Sequence, residues 1–166
     1  DKRALEDSMI EIFVSAPSKD TFRVEARHFS GSRKKVPKFE LDIEGLPLDV
    51  CDKGDSLTVT NGKMRLEIKK NPAEFDFYYE DRYLTSFAKK WERSYISHVI
   101  KNGESYMDAH LSVDIGEKLY GLGERFSSLV KNGQSVDMWN EDGGTCTEIA
   151  YKNIPFYISN KGYGVF

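Results

Sequence analysis

The chain has 166 residues, of which 39% are hydrophobic and 31% are charged, as in an ordinary globular domain. A net charge of −3 and an isoelectric point near 5.7 argue against a nucleic-acid binder, which would carry a basic stripe. No apolar run approaches the roughly 18 residues of a membrane-spanning helix. We therefore expect one domain over residues 1–166, with neither nucleic acid nor membrane as a partner.

The cysteines bear on the cellular compartment. Cys51 and Cys146 lie far apart, match no metal-ligand spacing and are too few for a disulfide framework. We expect free, partly buried thiols and a cytoplasmic protein. Secretion stays open as an alternative, because the chain begins at Asp1 rather than at Met and a removed leader is compatible with that start.

Apolar residues in the first half recur with a period of two, which is typical of strands. Residues 9–14 and 21–27 alternate in this way, and the turn-forming stretch 16–20 between them predicts a hairpin. From 28 to 55 the pattern weakens, apart from a short predicted strand around 39–43.

The clearest hairpin pattern comes next. Residues 56–60 and 64–68 alternate on either side of Asn61-Gly62, a dipeptide that favours the two positive φ angles of a type I′ turn. Alternation continues over 75–79, and the polar residues that follow turn the chain into another strand.

Further along, Leu111, Val113 and Ile115 predict one more strand, closed by Gly116. A turn followed by the opening of a strand is expected at 161–166, so we expect the chain to be a segment of a longer protein. Many short strands without a convincing long helix predict an all-β fold, an antiparallel β-sandwich.

Residues that could carry chemistry form no recognisable catalytic or metal-binding motif. Histidines that share no metal-ligand spacing stand at three positions, His28, His98 and His110. We therefore expect no metal and no cofactor. Acidic residues near glycine-rich backbone are Glu124, Glu141 and Asp142. Their spacing does not fix the two carboxyl groups that flank a scissile bond in glycoside hydrolysis.

One loop is unusual in composition. Residues 139–145, Trp-Asn-Glu-Asp-Gly-Gly-Thr, combine an indole, an amide and carboxylates with backbone freed by glycines. Aromatic faces pack on sugar rings while polar groups bind hydroxyls, so the loop fits a sugar contact. A structural loop with a buried Trp and turn-capping polar groups fits the residues equally well.

An ordered series of motifs fills the last third of the chain. It runs through Tyr-Gly-Leu-Gly-Glu-Arg-Phe at 120–126, Asn-Gly-Gln at 132–134, the 139–145 loop, Ala-Tyr-Lys-Asn-Ile-Pro-Phe-Tyr at 150–157 and Gly-Tyr-Gly-Val at 162–165. As a set, this series resembles glycoside hydrolase family 31, and its α-xylosidase-like members in particular. The first two thirds of the chain are similar to that family only in having alternating strands with an Asn-Gly hairpin.

The resemblance implies a fold and separate roles for two domains. It implies an N-terminal β-sandwich of the galactose-mutarotase-like type, a supersandwich, packed against a (β/α)₈ barrel. In that family the barrel carries an aspartate nucleophile and an aspartate acid/base of a retaining mechanism. Such a barrel needs about 250 residues, so we expect it outside this chain, with no catalytic residue in residues 1–166.

The resemblance also implies a function. It implies that the parent enzyme hydrolyses terminal α-linked xylose from oligosaccharides, while this domain, inert alone, shapes the active-site entrance. It favours the sugar-contact interpretation of the loop, with substrate-binding residues Trp139, Asn140, Asp142 and Thr145. The expected partners are the oligosaccharide, the barrel and further copies of the chain, which an apolar patch in the last third would hold together.

Three alternatives stay open. The parent enzyme is an α-glucosidase, the chain is a self-standing carbohydrate-binding module, or it is a mutarotase-like epimerase. The epimerase needs a His/Glu pair that converges on a sugar, and the scattered histidines argue against it.

Overall fold

The computed structural model of the protein describes residues 9–28, 45–87, 96–142 and 149–166. These residues form twelve strands and no helix, and every pair of neighbouring strands is antiparallel. The described part of the chain accordingly has no helix of the length and apolarity needed to cross a membrane. The strands are β1 Ile10–Ser15, β2 Arg23–His28, β3 Asp49–Asp52, β4 Ser56–Asn61, β5 Met64–Lys70, β6 Ala73–Tyr79, β7 Arg82–Phe87, β8 Ile96–Lys101, β9 Glu104–Ala109, β10 Leu119–Gly121, β11 Tyr157–Ser159 and β12 Tyr163–Val165.

The chain divides into two compact units, Asp1–Ser112 and Val113–Phe166. The first unit contains a five-stranded sheet in the order β3-β4-β5-β6-β7 and two hairpins, β1-β2 and β8-β9. The second contains a three-stranded sheet in the order β10-β11-β12.

The core of the first unit follows from strand alternation. Val59, Leu66 and Phe77 lie opposite one another across β4, β5 and β6, and all three side chains are buried, with Leu66 0% exposed. Burying a side chain of this size stabilises a fold by about 1.5–3 kcal/mol. The period of two therefore places the apolar residues of these strands on one face of the sheet, as the sequence predicts.

The predicted hairpin at 56–68 is confirmed, but its predicted turn type is wrong. Asn61 ends β4 and pairs with Met64, so the loop residues are Gly62 and Lys63. Gly62 has a φ of 61°, whereas Lys63 does not have the positive φ that a type I′ turn requires at its second position.

The β1-β2 hairpin explains why the loop consists of Gly62 and Lys63 rather than Asn61 and Gly62. The buried Asn61 side chain donates from Nδ2 to the backbone oxygens of Ser18 and Thr21, each at 2.8 Å. Asp20, in the β1-β2 turn, accepts the Lys63 backbone N–H at 2.5 Å. Tertiary hydrogen bonds between two turns thus draw Asn61 out of the loop and into the strand.

An Asn-Gly turn with two positive φ angles does occur, between β8 and β9. Asn102 has a φ of 54° and Gly103 a φ of 82°, as a type I′ turn requires. The alternation around this dipeptide is weak, because all six residues of β9 are exposed. The sequence pattern consequently does not predict this hairpin.

Other differences from the predicted strands have local causes. The strand predicted at Leu111–Ile115 is wrong: this stretch is irregular, and hydrogen bonds between Asp114 and Glu117 fold its end into a turn. Strand β3 was not predicted, because its four residues are all exposed and do not alternate. Cys51 lies on this strand, exposed rather than partly buried. The strand predicted at 39–43 lies outside the described residues.

Candidate functional site

The 120–126 motif runs beside the 150–157 motif in the second unit. The backbone N–H of Leu122 donates to Phe156 O at 2.9 Å, and that of Glu124 donates to Lys152 O at 3.0 Å. A Cβ on Gly123 would stand 2.2 Å from Lys152 O, so only glycine permits this approach. The Gly-x-Gly pattern therefore serves close backbone packing.

A hydrogen-bond network centred on Asn153 connects these motifs to the 139–142 segment. Asn153 Nδ2 lies 2.7 Å from Trp139 O, 2.8 Å from Asn140 Oδ1 and 2.8 Å from Ala150 O. The Asn153 backbone N–H donates to Asn140 Oδ1 at 3.0 Å. An Arg125 guanidinium N–H donates to Asn153 Oδ1.

Arg125 extends the network in the opposite direction. Its guanidinium donates to Leu122 O at 3.1 Å and to Asp137 O at 2.5 Å. One planar cation therefore joins the end of the 120–126 motif to the segment that leads into Trp139.

Three of the four predicted substrate-binding residues lie in the described segment 139–142, where they are close together in the sequence already. Trp139 is 74% exposed, so the burial that a purely structural Trp would show is absent. Asn140 forms a single bridge with Ala150, and its amide oxygen is occupied by Asn153. Asp142 is exposed at the end of the segment. Thr145 lies outside the described residues.

A groove of about 390 Å³ lies between the 120–126 and 150–157 motifs, within the second unit. Exposed aromatic rings line it, with Phe126 66% and Tyr151 69% exposed. Lys152 and Glu124, also in the lining, form an ion pair at 2.8 Å. The hydrogen bond that Lys152 Nζ donates to the Glu124 carboxylate raises the pKa of the Lys152 ammonium.

These groups have the chemistry of a sugar contact. Aromatic faces pack against the apolar faces of a pyranose, and charged or amide groups hydrogen-bond its hydroxyls. Arg125, Lys152 and Asn153 belong to the family motifs but are not among the substrate-binding residues that the sequence predicts. Their positions in the two facing motifs were the available signal.

The remaining sequence candidates lie elsewhere. In the first unit, the His28 and His98 rings stack with centroids 4.0 Å apart, and both Nε2 atoms reach Ser105 Oγ, at 3.3 and 2.8 Å. Within the described ranges, no group of three or more His, Cys, Asp or Glu side chains is placed to hold a metal ion.

Comparison with known proteins shows the family. The sequence pattern of the glycosyl hydrolase 31 N-terminal galactose mutarotase-like domain matches residues 11–166. An alpha-xylosidase of Emericella nidulans is 38% identical over an alignment of 181 residues, which covers 98% of this chain and 23% of the relative. Alpha-xylosidase XylQ of Lactiplantibacillus pentosus is 41% identical over 158 residues, which cover 93% of this chain and 20% of the relative. The chain thus spans about a fifth of the length of these two relatives.

A solved structure supports the fold. The cycloalternan-forming enzyme from Listeria monocytogenes, in complex with a pentasaccharide substrate, superposes with a TM-score of 0.73 at 22% identity, covering 95% of this chain and 15% of that one. The predicted antiparallel β-sandwich of the galactose-mutarotase-like type is confirmed by this similarity and by the family pattern. The chain belongs to the glycosyl hydrolase 31 family, as its N-terminal galactose mutarotase-like domain.

Proposed function

We propose that the protein carrying this chain is a retaining α-glycosidase that releases terminal α-linked xylose from oligosaccharides. The observation that carries the proposal is the identity of 38% and 41% with two alpha-xylosidases over nearly the whole chain. The match to a family of glycosyl hydrolase N-terminal domains supports it.

Within that protein, the domain is non-catalytic and forms one wall of the sugar site. The catalytic carboxyl groups lie in a (β/α)₈ barrel outside residues 1–166, since a barrel needs about 250 residues. The wall consists of the 139–142 segment and the adjoining groove. Its exposed Trp139, Phe126 and Tyr151 rings supply stacking surfaces beside the Glu124–Lys152 pair.

The test is turnover of α-linked substrates by the full-length protein. We expect hydrolysis of 4-nitrophenyl α-D-xylopyranoside and of α-D-xylosyl-(1→6)-glucose, with a lower kcat/KM on the corresponding α-glucosides. A higher kcat/KM on the glucosides would make the parent an α-glucosidase. A full-length protein that hydrolyses neither series would overturn the proposed activity. An enzyme-like rate from residues 1–166 alone would overturn the non-catalytic role of the domain.

A second candidate, a self-standing carbohydrate-binding module, is favoured by the exposure of the Trp139 ring. Calorimetric titration of the purified chain with xylose and xyloglucan oligosaccharides separates the two functions. Submillimolar affinity that is lost in Trp139→Ala supports the module. Absence of heat supports a wall that the rest of the enzyme completes.

A further inference from the structure

We propose that Arg125 and Asn153 are positioning residues that fix the Trp139–Asn140 backbone for its contact with the sugar. The inference rests on the proposed function of this segment and goes beyond it, because neither residue lies on the segment itself. It names the groups whose removal would displace the 139–142 segment while leaving the side chains of that segment intact.

The hydrogen-bonding capacity of Asn153 supports this assignment. A primary amide has two N–H donors and one carbonyl acceptor. Here the donors serve Trp139 O, Asn140 Oδ1 and Ala150 O, and the acceptor is used by Arg125. Every polar atom of the side chain therefore takes part, and the residue joins two backbone carbonyls to the side chains of Asn140 and Arg125.

Packing gives the Trp139 ring little support. It is 74% exposed, so its position depends on its backbone rather than on packing. The described contacts that hold this backbone are the Asn153 bonds, the Asn140–Ala150 bridge and the Glu141 N–H bond to Ala150 O at 3.1 Å. A displacement of about 1 Å in a binding group can lower catalytic efficiency about a hundredfold.

The experiment replaces Asn153 in the full-length protein and follows both the segment and the reaction. Asn153→Asp keeps the acceptor for Arg125 but replaces the two N–H donors of Nδ2 with one carboxylate oxygen, which then faces three acceptor oxygens. We expect faster hydrogen exchange in peptides that cover 137–142 and 149–155. We also expect KM for α-D-xylosyl-(1→6)-glucose to rise about tenfold or more while kcat changes less than about twofold, because lost uniform binding raises KM alone.

Asn132→Asp is the matched control. Asn132 also joins two backbone segments of the second unit, with its Oδ1 2.9 Å from Leu119 N and its Nδ2 2.9 Å from Glu117 O. We expect this change to leave the exchange of 137–142 and the KM as in the wild type. Arg125→Lys, which keeps the charge and loses the planar fork, is a milder second variant and should change both readouts in the same direction as Asn153→Asp.

Two results would overturn the positioning role. One is unchanged exchange over 137–142 in both Asn153→Asp and Arg125→Lys, and the other is an equal increase in Asn132→Asp. Failure of the proposed function is distinguishable from these results. A full-length protein without α-xyloside turnover would contradict that function, while hydrogen exchange of 137–142 would still test the positioning role.

Discussion

A single carboxylate organises the centre of the second unit. Glu117 is 5% exposed and accepts hydrogen bonds from the Asp114 backbone N–H at 2.8 Å, the Tyr163 hydroxyl at 2.6 Å and the Ser159 hydroxyl. Burial by itself raises the pKa of this carboxyl group, but the hydrogen bonds and nearby Lys161 outweigh burial and leave the pKa below its usual value of 4.5. The charged form is therefore favoured in the folded protein.

This pKa predicts how the stability of the unit depends on pH. A carboxyl group whose pKa is lowered by folding contributes stability above its unfolded pKa, and this contribution disappears as the pH falls through the folded pKa. We expect Glu117→Gln to lower the free energy of unfolding by about 1–3 kcal/mol at pH 7. The difference from wild type should shrink below pH 4.5.

Urea unfolding of the purified chain at pH 7 and pH 3 checks this prediction. Glu124→Gln, in an exposed ion pair of the same unit, is the control and should cost less than about 1 kcal/mol. An equal loss in both variants would contradict the role of Glu117.

Asn140 allows its structural role to be separated from its contact with sugar. Its Oδ1 accepts both Asn153 bonds, and an aspartate keeps that acceptor. We expect Asn140→Asp to change the free energy of unfolding by less than about 0.5 kcal/mol. Asn140→Ala should cost about 1–2 kcal/mol, because it leaves Asn153 donors without this partner.

The same pair of variants tests the proposed function. If Asn140 also donates to a sugar hydroxyl, Asn140→Asp in the full-length protein raises KM despite wild-type stability. Thermal unfolding followed by circular dichroism, together with steady-state kinetics, gives both readouts. Equal destabilisation by the Asp and Ala variants would contradict the acceptor role.

Among the elements, the contact between two turns determines the geometry of the β4-β5 hairpin. Gly62 combines a φ of 61° with a neighbour so close that a Cβ would stand 2.3 Å from Asp20 Oδ1. A non-glycine residue in the left-handed region costs about 1–2 kcal/mol. We expect Gly62→Ala to lower the free energy of unfolding by more than this, since the clash with Asp20 adds to the backbone strain. Gly103→Ala, with a φ of 82° and open space around the Cβ, should show the strain alone.

A double-mutant cycle isolates the clash. In an Asp20→Ala background, the cost of Gly62→Ala should fall toward that of Gly103→Ala, giving a coupling between positions 20 and 62. Urea unfolding of the four variants measures it. Additive effects at the two positions would show that the turns do not interact as the structure indicates.

At the scale of the whole molecule, large apolar side chains are exposed along much of the second unit. Those described are Val113, Ile115, Phe126, Leu129, Met138, Trp139, Ile149, Tyr151, Ile154, Phe156, Ile158 and Phe166. Exposed apolar surface of this kind promotes association, which accords with the predicted patch in the last third. We expect the purified chain to self-associate at micromolar concentration.

Sedimentation velocity of charge-substituted variants tests this association. Ile115→Lys with Leu129→Lys should shift the chain toward the monomer. Val50→Lys is the matched control, since Val50 is an exposed apolar residue of the first unit. A monomeric wild-type chain, or an equal shift in the control, would contradict the prediction. Homo-oligomers, like the cytoplasmic location, stay a prediction.

Much of the strand framework was predictable from local pattern. Strands that bury one face, such as β4 and β5, alternate in sequence because the side-chain period of a strand is two. Where a strand is exposed throughout, as β3 and β9 are, burial leaves no such pattern and the strand goes unpredicted. The segment at Leu111–Ile115 alternates in sequence but forms no strand: its Ser112 N–H donates to Ser86 O, and its end folds into a turn closed by Glu117.

The site shows the same division. The all-β class, the family motifs and the 139–142 segment can be recognised from the sequence, since each depends on residues close together in the chain. The tertiary hydrogen bonds that draw Asn61 out of its predicted turn, and those that join Arg125 to Asn153 and Asn153 to Trp139 O, could not be predicted from the sequence. Those contacts join residues 14 to 43 positions apart, and a hydrogen bond across such a distance leaves no local pattern in the sequence.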